Sequence, residues 1–179
     1  MPSLFKEKLG YTDQHSSVED AVNSIVKLLN GSSTNQAKSS TTTSIGLFAQ
    51  GTPTGTLSAA ENLVTFTNLI SDPQNAYSSG TYTVPENGYY SVNIKLSITC
   101  TAATVGKLFF TYLKKGGSDI ATDLITASVG ETYLSGKIGL SFYYLTQGEQ
   151  LQVYSYTDTS SPSFASGFNG YFSIVKTGN

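Results

Sequence analysis

The 179-residue chain contains no arginine and no tryptophan, and only one cysteine, one histidine and one methionine. Each shortage removes a class of function. Ten lysines face twelve carboxylates, for a formal net charge of −2. Such a chain lacks the clustered cations and bidentate forks that read nucleic acid. One cysteine permits no disulfide within the chain and no thiolate zinc site. Charged residues make up 12% of the total, about half the usual share. No apolar run approaches the ~18 residues of a membrane-spanning helix. The N-terminus lacks the apolar stretch of a secretory leader, so a protein made in a host cytoplasm is expected. Neither nucleic acid nor membrane insertion is expected among its partnerships.

What is present is hydroxylic and aromatic. Serine (25) and threonine (23) dominate, and 11 of 12 tyrosines and 8 of 9 phenylalanines fall after residue 43. Composition divides the chain into three: an N-terminal docking segment at 1–31, a tether at 32–43 and a head at 44–179. The docking segment holds the predicted helix, with Ser16 as N-cap, Glu19 closing a capping box, and Asn30-Gly31 as a left-handed stop. Val18, Val22, Ile25 and Leu29 form one apolar stripe, preceded by Leu4, Phe5 and Leu9. Two heptads are too few to stand alone in water. The stripe therefore docks on its own head, on symmetry mates or on a larger assembly. The tether, SSTNQAKSSTTT, has nothing apolar larger than alanine and is expected to be flexible.

From residue 44 onward, strand follows strand. Tyr90, Val92, Ile94, Leu96, Ile98 and Cys100 alternate with polar residues, as do Leu134, Gly136, Ile138, Leu140, Phe142 and Tyr144. Further strands are expected over 44–50, 62–67, 80–84, 107–113, 120–127, 150–157 and 167–176. Lys115-Gly116-Gly117 and Gln147-Gly148-Glu149 read as hairpin turns, and Pro85-Glu86-Asn87-Gly88 as a β-turn. Many short strands without helices between them predict an all-β antiparallel sandwich or barrel.

Five motifs in order carry a resemblance: Tyr77, Gly80 and Tyr82 before Pro85, Gly88, Tyr89 and Tyr90; Phe66 and Asn68 upstream; the Leu113–Gly117 turn; Leu145, Gly148, Glu149 and Leu151; and Phe168, Gly170, Tyr171 and Phe172. Over about residues 44–177 the chain resembles the globular-head domain of complement's first component. The resemblance implies a ten-stranded jelly-roll sandwich of the tumour-necrosis-factor-like type, assembled as a homotrimer. The Gly-X-Y stalk of that family is absent, and the helix and tether stand in its place. Tyr89, Tyr143 and Tyr171, opposite core-facing neighbours, are the expected trimer-interface residues.

No residue pattern points to catalysis, a cofactor or a bound metal. A catalytic dyad or triad built on His15, before the helix cap, would need a partner from the head across the tether, and Cys100 reads as a buried inert thiol. Asp119 and Asp123, four apart on one strand face, and Glu131 are the only candidate calcium ligands, without a dense acidic loop. The 156–167 connection mixes rigid aromatics with hydroxyls. It makes Tyr156, Asp158, Ser160, Ser163 and Phe164 candidate ligand contacts, with Phe164 alternatively tucked into the core.

The expected function is structural and adhesive: a non-enzymatic virion protein such as a capsid decoration protein, head fibre or receptor-binding knob of a phage or other virus. Its N-terminus would join other capsid proteins, and its head would face a host-surface glycan or protein receptor. The alternative is an extracellular, complement-like recognition protein that binds glycans or proteins.

Overall fold

The computed structural model describes residues 46–167 and 170–179. The predicted docking segment with Leu4, Phe5, Leu9, Val18, Val22, Ile25 and Leu29, His15 and the tether lie outside the described residues. The described residues form twelve strands: β1 (Gly46–Gly51), β2 (Asn62–Leu63), β3 (Leu69–Ser71), β4 (Tyr77–Ser78), β5 (Thr81–Thr83), β6 (Gly88–Thr99), β7 (Leu108–Lys115), β8 (Ser118–Thr126), β9 (Tyr133–Leu145), β10 (Gln150–Thr157), β11 (Ser163–Phe164) and β12 (Gly170–Gly178).

All pairings are antiparallel, and they make two sheets. In the first, β9 pairs with β6 from Gly88 to Thr99, so β12 and the short β11 share the other edge of β6. The order is β3-β1-β12-β6-β9. The second runs β4-β5-β10-β7-β8, with β2 on β10 beside β5. Sequence neighbours often lie in different sheets, which is the crossover pattern of a jelly roll. Two sheets of five strands give the expected ten, and β2 and β11 are two-residue additions. The single expected strand over 62–67 is shorter, because Thr65 leaves the ladder to bridge Thr54.

Inward residues of both sheets close one core. Tyr90, Val92, Ile94, Leu96 and Ile98 of β6 face Phe109, Leu113, Leu151 and Val153 of the opposite sheet, all at most 1% exposed. Burial of each such side chain contributes about 1.5–3 kcal/mol. Phe172 of β12 packs against Phe66 and Tyr77, with ring centroids 5.8 and 6.0 Å away. The β7–β8 hairpin turns through Gly116 and Gly117, at φ 55° and 88°. Two consecutive positive φ values define a type I′ turn, which suits glycine and the strands' right-handed twist.

Two strands break the simple alternation. In β9, Tyr143 opposes Tyr90 and Leu140 opposes Val92, so two residues of β9 face one of β6 at Ser91. Phe142 takes up this bulge at φ 55°. Beyond it the faces exchange: Phe142 and Tyr144 point outward, where strict alternation placed them inward, and Tyr143 turns against the core. In the β7–β8 pair, Leu113 opposes Ala121 but Lys114 opposes Asp119. That bulge separates Asp119 from Asp123, which were expected on one face.

Candidate functional site

The outward face of the first sheet is aromatic at one end. Tyr89 and Tyr144 are directly paired across β6 and β9, with ring centroids 5.2 Å apart at 71°. Beside them Phe142 is 73% exposed, and Val175 of β12 is also exposed. A depression of about 410 Å³ opens next to Tyr144, lined also by Asn87, Gln147 and the Lys176–Glu86 ion pair at 3.1 Å. Of the three tyrosines expected together, Tyr89 and Tyr171 share this outward face but not one spot. Tyr171 pairs with Lys95, six residues along β6 from Tyr89, or about 20 Å. Tyr143 lies half-buried against the core, with the Lys115 ammonium 5.5 Å from its ring centroid.

The middle of that face carries Lys95 directly opposite Lys137. Neither has an ion-pair partner among the described residues. Like charges so placed repel, by a few tenths of a kcal/mol to about 1.

The 156–167 connection crosses from one sheet to the other. Tyr156 belongs to β10, and its ring meets Phe110 edge-on at 5.7 Å. Asp158 accepts the Leu108 N–H at 2.6 Å and lies 3.7 Å from the Lys107 ammonium. The exposed Ser160 offers its carbonyl to the Thr101 N–H. Ser163 and Thr99 share a hydroxyl hydrogen bond of 2.8 Å, and Phe164 packs against the core as β11 joins β6. Most of the loop's expected ligand contacts thus hold the crossing together.

Three further aromatics were not singled out from the sequence. Phe110 and Tyr112 on β7 lie directly opposite Tyr156 and Tyr154 on β10, all four facing outward from the second sheet. Phe110 and Tyr112 are stacked, 5.5 Å apart and 6° from parallel. The Lys114 ammonium lies 5.2 Å from the Tyr154 ring centroid and 5.7 Å from that of Tyr112. It also contacts Glu61 at 2.6 Å and Asp119 at 3.0 Å. Those carboxylates hold the ammonium's pKa above its ordinary value, Glu61 most. Burial pushes the Tyr112 phenol up, assisted by the charges of Glu61 and Asp119. The i, i+2 spacing of Phe110 with Tyr112, and of Tyr154 with Tyr156, is visible in the sequence; their cross-strand register is not.

Every carboxylate among the described residues is engaged in local structure. Asp123 accepts the Lys137 N–H at 2.7 Å, and Glu131 accepts that of Ser128 at 2.8 Å. Asp72 accepts the N–H groups of Ala76 and Tyr77. Glu149 accepts from Thr146 and from Lys115 at 2.9 Å, contacts that hold its pKa below the ordinary glutamate value. Asp119, Asp123 and Glu131 do not converge, and no metal-ligating group of three occurs among the described residues. Cys100 is half-buried, and its thiol donates to the Glu131 carbonyl.

No family model matches the chain, and no curated protein matches it. Solved structures do. Eiger TNF from S. frugiperda superposes with a TM-score of 0.55 at 14% identity, covering 76% of this chain and 94% of that one. Murine APRIL at pH 8.0 superposes with a TM-score of 0.53 at 13% identity, covering 74% and 99%. The pH 5.0 form of murine APRIL gives 0.53 at 11%, covering 74% and 98%. At such identity the likeness defines the fold. The described part of the chain is a tumour-necrosis-factor-like jelly roll.

Proposed function

We propose that the chain is a non-enzymatic attachment protein whose heads associate as a homotrimer and whose N-terminal segment anchors them to a virion. The observation that carries the oligomer is Phe142. Its ring is 73% exposed on a backbone at φ 55°, a left-handed conformation that costs a non-glycine residue about 1–2 kcal/mol. A strained bulge that holds a phenyl ring in water, beside the exposed Tyr89, Tyr144 and Val175, is accounted for when another surface covers it. Second and third copies of the same chain are the occupants proposed, through the outward face of β9-β6-β12. The fold's likeness to Eiger TNF and APRIL is in keeping with that reading, and so are the carboxylates, which serve the fold.

Trimeric heads give avidity for repeated surface ligands, and a Ser/Thr-rich tether of low apolar content gives them reach. Those two properties favour display on a particle. Immunogold labelling with antibodies to residues 44–179, applied to particles from the producing culture, tests this. Particles carrying the full chain should label, and those made with a chain lacking 1–31 should not, although the shortened protein folds. Normal incorporation of the shortened chain contradicts the anchor. Antigen confined to the medium, free of particles, supports the complement-like alternative.

A further inference from the structure

The outward face of the second sheet lies across the sandwich from the face assigned above to copies of the chain, and it has a different chemistry. Phe110, Tyr112, Tyr154 and Tyr156 form a two-by-two array on adjacent strands. Neighbours along a strand are about 6.8 Å apart and neighbours across the ladder about 4.8 Å, spacings on the scale of one sugar ring. The rings are fixed before any ligand arrives. Phe110 stacks on Tyr112 and meets Tyr156 edge-on, while Lys114 sits against Tyr154. Little side-chain freedom remains to be lost on binding.

From this array we infer a binding platform for a neutral polysaccharide. The faces of aromatic rings carry negative charge density, and the C–H-lined face of a pyranose presents complementary positive charge. It meets the ring surface left open beside the Phe110–Tyr112 stack and Lys114, all four aromatic residues being partly exposed. Charge argues for the same occupant. One ammonium, Lys114, is clamped by two carboxylates, Glu61 and Asp119, so the centre carries no surplus of cations. Nothing there draws a phosphate, sulfate or uronate polymer. A charged trio beside the rings is equally unlike the apolar centre that a protein partner buries. It does suit hydroxyls, which donate to Glu61 and Asp119 and accept from Lys114. The hydroxyls of Tyr112, Tyr154 and Tyr156 make no hydrogen bond to another described residue and are available to a sugar. Leu124, opposite Phe110 on β8 and exposed, extends the apolar strip.

Affinity electrophoresis of the full chain through native gels containing mannan, dextran or xyloglucan tests the platform. Heparin, alginate and albumin gels serve as controls. The chain should be retarded in at least one neutral polymer and in no control. The double variant Tyr112→Ala/Tyr154→Ala should lose at least tenfold in apparent affinity while its light-scattering mass stays unchanged. Tyr112→Phe/Tyr154→Phe keeps the rings and the fold, so it should bind with a several-fold loss from the missing hydroxyls. Tyr89→Ala/Tyr144→Ala, on the opposite face, should still bind even as monomers, with only the avidity lost. Passage through every neutral gel unretarded, retardation confined to heparin, alginate or albumin, or equal retardation of the alanine and wild-type proteins would each overturn the platform. None of those results bears on the trimer.

Discussion

Several buried hydroxyls have no hydrogen-bond partner among the described residues. Thr111 and Ser155 are 0% exposed, lie opposite each other across β7 and β10, and have unbonded side-chain oxygens. An unsatisfied buried polar group costs about 1–3 kcal/mol. Thr111→Val keeps the shape and removes the hydroxyl, so the free energy of unfolding in urea should rise by about 1 kcal/mol; a fall contradicts the reading. Glu149 behaves oppositely, because its carboxylate is satisfied by the Thr146 N–H and then by Lys115. Its folded pKa lies below the ordinary 4.5. The stability it contributes is therefore complete above that value and is lost as pH falls through the lowered one. Glu149→Gln should be less stable than wild type at pH near 7, and the gap should close in acid. A gap that stays constant across urea titrations down to about pH 3 contradicts this assignment.

The elements divide into those legible in the sequence and those hidden by a single inserted residue. The alternation of Tyr90 through Ile98 and the Gly116-Gly117 turn follow directly from period-2 patterning and positive-φ chemistry. The bulge at Phe142 has no such signature, since Ser141, Phe142, Tyr143 and Tyr144 are all tolerated on either face of a strand. One residue of slip turned Tyr143 toward the core and Tyr144 outward, and another separated Asp119 from Asp123. The Phe110–Tyr156 platform needed cross-strand register, which no local pattern supplies. Phe142→Asn tests the bulge, because asparagine tolerates the left-handed region. Measured at dilution where copies separate, its stability should match or exceed wild type by up to about 1 kcal/mol. At high concentration its association should be weaker. A loss of more than about 2 kcal/mol in the dilute head would mean that the ring stabilises its own domain. Lys137→Glu, which places an opposite charge across from Lys95, should add a few tenths of a kcal/mol to the dilute head.

At the scale of the molecule, a weakly charged, hydroxyl-rich chain folds as a two-sheet jelly roll with two aromatic faces of different character. One face, around Tyr89, Phe142 and Tyr144, is exposed and strained at its bulge, and is the face proposed for self-association. The other, around Tyr112 and Tyr154, is ordered by ring contacts and by Lys114 held between Glu61 and Asp119, and is the face proposed to bind a ligand. A trimer built through the first would present three copies of the second and raise avidity for any repeated glycan. The association of heads is the claim on which the attachment reading depends. Multi-angle light scattering of residues 44–179 measures it directly. Three chains per particle are predicted, with Tyr89→Ala/Tyr144→Ala shifting the mass to one; a monodisperse wild-type monomer would contradict the account.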